Sequence, residues 1–181
     1  MDPGVTAQSL YAPLIFTAGY QPTAHYPVLE EALKSADAED AAKTFDLLPK
    51  AVSRLAADTL LIRGDLQLKA GSRVDSNLVV QGTLRSGPDC AFLGDVKAGR
   101  VQLGPRNQVA RNLVSGSTLE LGDSSFVGKA VVAETDIVLS LGARVGQPGK
   151  LAVVTAGRDV RMERDVAVWG KAAAGRAVIT L

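Results

Sequence analysis

The sequence predicts an all-β protein: a single-stranded parallel β-helix of six to seven triangular coils, preceded by a short helical segment. Three observations carry that expectation. The phrase "FLGDVKAG" at Phe92 returns as "FVGKAVVA" at Phe126 and "VWGKAAAG" at Val168. Within each copy, apolar or small residues alternate with polar ones at i and i+2, the period of a strand with one buried face. The chain is 46% hydrophobic yet only 4% aromatic, which suits a narrow core built from Val, Leu and Ala.

Residues 1–57 read differently from the rest. Tyr11, Phe16, Tyr20, Tyr26 and Phe45 are five of the eight aromatics in the chain. The segment holds 4 basic and 7 acidic residues, against 16 and 12 in 58–181. "YPVLEEALKSA" and "LLPKAVSRLAA" each place a proline at a plausible first helical turn. Apolar residues then share one face, with Val28, Leu29, Ala32 and Leu33 in the first and Leu48, Val52 and Leu55 in the second. Two short helices are expected, over 27–43 and 48–57. They would cap the first coil or attach the body to a partner.

The body, 58–181, is expected to be the β-helix. Ser76-Asn77, Gly94-Asp95, Arg111-Asn112, Gly128-Lys129, Gly149-Lys150 and Gly170-Lys171 form a series with steps of 18, 17, 17, 21 and 21 residues. A repeat near 17 residues is too short for an αβ unit and fits three short sides joined by tight corners. Adjacent coils then lie roughly 4.8 Å apart. The Gly and Asn residues of the series are expected at the corners, where positive φ is cheapest for those two residue types.

Charge and composition narrow the function. A net charge of +1 lacks the basic excess of an electrostatic nucleic-acid binder. Cys90 is the single cysteine, so an internal disulfide is excluded and a reducing compartment, the cytoplasm, is expected. The first basic residue is Lys34, so the positively charged start of a secretory signal is missing. His25, the single histidine, lies outside the repeats, which leaves no His pair for a zinc site and no histidine within a coil for acid–base work. No catalytic, cofactor-binding or metal-binding residue is expected. Glu134 and Asp136, which would share one strand face, read as outer-face carboxylates. Lys129, Lys150 and Lys171 fall at one position of three successive copies and are expected to stack as a ladder able to take an anion or an acidic partner.

Residues 59–181 resemble the bactofilins, bacterial polymer-forming cytoskeletal proteins. The phrases "LIRGDLQLKAGSRV", "LVVQGTL", "FLGDVKAGRVQLG" and "FVGKAVVAETDIVLSLGARV" carry the resemblance. It implies a triangular, right-handed β-helix without nucleotide that assembles end to end into filaments; the periodicity itself leaves the hand open. The chain departs from the family pattern in its 57-residue N-terminal segment and its two 21-residue copies. A second resemblance is to hexapeptide-repeat acyltransferases, through apolar or small residues every six positions from Leu103 to Leu151. Those enzymes use a histidine at a coil edge.

The expected function is therefore a non-enzymatic, self-assembling scaffold. Its last coil ends in "AVITL" and is expected to offer Ala172, Ala174, Val178, Ile179 and Leu181 to another copy. The alternative is a binding module that docks a protein, a membrane or a cell-wall partner through the N-terminal segment or the lysines. An acyltransferase is the third reading.

Overall fold

The computed structural model describes residues 52–181, and among these there is no helix. The strands are β1 (Val52–Ala56), β2 (Thr59–Ile62), β3 (Leu66–Leu68), β4 (Arg73–Val74), β5 (Asn77–Ser86), β6 (Ala91–Phe92), β7 (Val96–Leu103), β8 (Gln108–Val109), β9 (Leu113–Ser115), β10 (Leu119–Leu121), β11 (Phe126–Val127), β12 (Ala130–Ala133), β13 (Ile137–Leu139), β14 (Arg144–Val145), β15 (Ala152–Ala156), β16 (Asp159–Met162), β17 (Ala167–Val168), β18 (Gly170–Ala174) and β19 (Ala177–Thr180). Strands β2 to β19 stack as three parallel columns, one per side of a β-solenoid of about seven turns. The first side carries β2, the start of β5 and of β7, β9, β12, β15 and β18. The second carries β3, the ends of β5 and β7, β10, β13, β16 and β19. The third carries β4, β6, β8, β11, β14 and β17.

The alternation seen in the sequence sets the core. Leu60, Leu78, Val96, Leu113, Val131, Val154 and Ala172 are in register on the first side, so successive coils advance 18, 18, 17, 18, 23 and 18 residues. Leu66, Leu84, Val101, Leu119, Ile137 and Val160 line the second side, and Val74, Phe92, Val109, Val127 and Val145 the third; all are buried. Stacked apolar columns of this kind bury a continuous core that no single coil closes alone. The expected pair of 21-residue copies is corrected here. One coil is longer by five residues, Gln147–Leu151, and the next returns to 18. The "GK" at Gly149 lies inside that insertion and mimicked the "GK" at Gly128.

The corners also differ from expectation. Gly71, Asp89, Arg106, Ser124, Gly142 and Asp165 all have positive φ, between 54° and 72°, and recur with the coil. Of the residues expected there, Gly149 and Gly170 have positive φ, while Asn77, Gly94, Asn112 and Gly128 do not. Gly94 is glycine for another reason: a Cβ there would sit 2.5 Å from the Ser76 carbonyl oxygen and 2.6 Å from the Asn77 nitrogen, in the backbone of the preceding coil. Asn77 and Asn112 act through their side chains. Asn77 Oδ1 accepts the Asp95 N–H at 2.9 Å, Asp95 Oδ1 accepts the Asn112 N–H at 3.1 Å, and Asn112 Oδ1 accepts the Ala130 N–H at 3.3 Å. These side chains clamp each coil to the next along one edge.

At the first coil, Val52–Ala56 is a strand, which corrects the helix expected over 48–57. β1 turns back at Ala57-Asp58 and pairs antiparallel with β2, with Val52 opposite Ile62 and Ala56 opposite Thr59. Helix propensity is a weak preference, and here the unpaired edge of β2 outweighs it by offering a full row of backbone hydrogen bonds. β structure thus begins ahead of the expected boundary at 58. The helix expected over 27–43 lies outside the described residues.

Candidate functional site

Two surfaces stand out, the last coil and the corner that carries the insertion. In the last coil, β18 and β19 end the main sheet and β17 ends the second, so among the described residues each has a strand neighbour on one side only. Val178 is in register with Val160 and shares its inward position, yet Val178 is 44% exposed while Val160 is fully buried. Ala172 and Ala174 also point inward and pack on the core, partly covered. Ile179 is in register with the exposed Arg161, so it belongs to the outer face rather than to the open core. Leu181 is 73% exposed. The opposite end contrasts with this: Leu60, Ile62, Leu66, Leu68 and Val74 of the first coil are at most 2% exposed.

The lysine ladder is corrected by the register. Lys129 precedes Ala130, which is in line with Val153 and Lys171, so Lys129 and Lys171 stand in adjacent columns. Lys150 sits in the insertion and joins no strand. The three form a cluster around one corner instead of a stack. Gln147-Pro148-Gly149-Lys150 is a β-turn closed by the Lys150 N–H donating to the Gln147 carbonyl at 3.0 Å. Proline at its second place and Gly149 at the third, with φ of 79°, are the signature of a type II turn. Leu151 follows at 91% exposure, and Val153 is 44% exposed. Under the turn lies a cleft of about 700 Å³ lined by Arg111, Lys129, Lys150, Ala130, Leu151 and Val153. Sequence reasoning reached the lysines but missed Leu151; the "QPG" turn signal beside it was the available clue.

Three carboxylates elsewhere are engaged by arginines from neighbouring coils. Arg106 forks onto Asp89 at 2.6 and 2.8 Å. Arg158 pairs with Asp136, and Arg176 with Asp159. Hydrogen bonds from these arginines hold the Asp136 and Asp159 carboxyls below the usual aspartate range. Asp136 is thus tied up structurally and forms no acid–base pair with Glu134. Cys90 is buried in the core, where its Sγ donates to the Lys69 carbonyl at 3.1 Å. Burial pushes its pKa up to about 11. Among the described residues, no three His, Cys, Asp or Glu side chains come together to hold a metal, and no helix is long and apolar enough to cross a membrane.

No protein-family model matches the chain, and no curated protein or solved structure matches it. The class shown is that of the parallel β-solenoids.

Proposed function

We propose that this chain is a non-enzymatic, bactofilin-like scaffold of the cytoplasm whose partner is another copy of itself, joined through the last coil. The observation that carries the reading is Val178, an inward core position left 44% exposed between strand edges that lack a second neighbour among the described residues. Edges of this kind recruit further strands. Burying an inward valine contributes about 1.5–3 kcal/mol before ordering costs, with Ala172 and Ala174 adding smaller areas. At the other end β1 already occupies the β2 edge, running antiparallel, and the first-coil core is covered. A single adhesive end produces a closed tail-to-tail pair; two produce a filament.

The test is sedimentation with negative-stain microscopy on the full chain, on its Val178→Asp variant, and on the chain beginning at Asp58. Assembly of the full chain that is lost in Val178→Asp supports the scaffold. Filaments only from the shortened chain assign residues 1–57 a capping role. Monomers throughout sink the proposal.

A further inference from the structure

We propose that the Gln147–Leu151 insertion and the basic cleft beneath it form a docking site for an anionic lipid bilayer, independent of any assembly through the last coil. The insertion is superfluous to the solenoid, because the coils on either side keep full register across it. Its type II turn is rigid by composition, with Pro148 fixing φ and Gly149 supplying the positive φ that the third place demands. That rigid turn holds Leu151 almost entirely in solvent.

A lone exposed leucine is ordinary; its surroundings are not. Val153 and Ala130 extend the apolar surface beside it. The next outward column of the same sheet reads Leu61, Val79, Lys97, Val114, Val132, Thr155 and Ala173, which makes that column mainly aliphatic. Cations rim it: Arg111 and Lys129 from the corners ahead of β9 and β12, Lys171 from β18 and Lys150 from the turn. Asp95 lies 4.0 Å from Arg111 and bonds Asn112. Beyond Asp95, the two register columns at this corner hold Arg111, Lys129, the buried Ala152 and Gly170 in one, and Asn112, Ala130, Val153 and Lys171 in the other. Neither contains a carboxylate. Glu134 lies at the opposite corner of the sheet.

A projecting apolar tip flanked by spaced cations on long stems matches the boundary between acyl chains and anionic headgroups. The leucine enters the hydrocarbon edge while the lysines stay among the phosphates. Cations spaced around one projecting apolar tip call for negative charge spread over a surface, which a field of anionic headgroups supplies.

The experiment is vesicle flotation of the full chain with phosphatidylglycerol–phosphatidylcholine vesicles and with phosphatidylcholine alone. Emission from Trp169, the single tryptophan, gives a second readout, since its carbonyl lies beside the insertion at Gly146. Binding to the anionic vesicles is expected, with a blue shift of that emission. Leu151→Ser should lower the partition coefficient on the order of tenfold, and Lys129→Gln or Lys171→Gln about fivefold each. All three residues are exposed or at the rim, so the fold should survive, as circular dichroism would verify. Failure of the unaltered chain to float with anionic vesicles overturns the proposal. So does binding that is indifferent to Leu151→Ser and both lysine changes, or binding that occurs only when vesicles retain membrane proteins.

Discussion

Arg176 reaches back one coil and forks onto the carboxylate of Asp159, with Nε 2.9 Å from Oδ1 and a second contact from Nη2 to Oδ2. Arg158 does the same to Asp136, one coil earlier. The two pairs form a stair that ties the last three coils together along one corner. They lie where the solenoid has fewest neighbours to hold it.

The stair predicts an acid-sensitive end. Asp159 has a depressed pKa in the folded chain, chiefly from the Arg176 hydrogen bond. Its stabilising contribution is therefore complete above the unfolded value of about 3.9 and is lost as pH falls toward the lower folded value. Asp159→Asn should lower the melting temperature at pH 7 and flatten the acid limb below about pH 4. Scanning calorimetry of both chains between pH 7 and pH 2 checks this; an unchanged acid limb would show that the pair contributes nothing.

Asn107 should be among the least replaceable polar residues. It is fully buried. Its Nδ2 donates to Ser86 Oγ, the Gly87 carbonyl and the Gly104 carbonyl at 2.7–3.1 Å, while Oδ1 accepts the Cys90 N–H at 2.6 Å. Removing the amide orphans groups from two adjacent coils. Asn107→Ala is expected to cost about 2–4 kcal/mol, read as a lower midpoint in urea with little change in slope. Asn107→Asp should be at least as harmful, because the new oxygen faces two carbonyls.

Cys90 should behave as a silent thiol. With its pKa pushed up to about 11 by burial, almost no thiolate is present at neutral pH, and the native chain should resist a disulfide reagent that reacts at once in denaturant. The sign of the pH effect is opposite to that of Asp159. The contribution is complete below the unfolded thiol value of about 8.5 and is lost as pH rises toward 11. Cys90→Ala should remove that alkaline decline; rapid labelling of the native chain would contradict the buried placement.

Much of the fold was legible because inward positions on a strand must be apolar at i and i+2, and seven stacked coils repeat that demand. Leu60, Leu78 and Val96 announce their column by chemistry alone. The corners were harder to read, because one letter answers two different demands. Gly94 is required by the close approach of the neighbouring backbone, while the positive-φ seat nearby is filled by Asp89, Arg106, Ser124 and Asp165, residues that do not advertise it. β1 was misread because its helix propensity is local, whereas its reason for being a strand is the edge of β2, brought beside it by a reversal at Ala57-Asp58. The candidate corner was half visible. The lysines were noticed, but their true arrangement depends on which residues are extra, and that is set by register across coils.

The five residues from Gln147 to Leu151 enter and leave without disturbing either flanking coil. That corner therefore works as a mount. A longer foreign peptide spliced in place of Pro148-Gly149 would be held clear of the shaft, at a height along the axis fixed by the coil count.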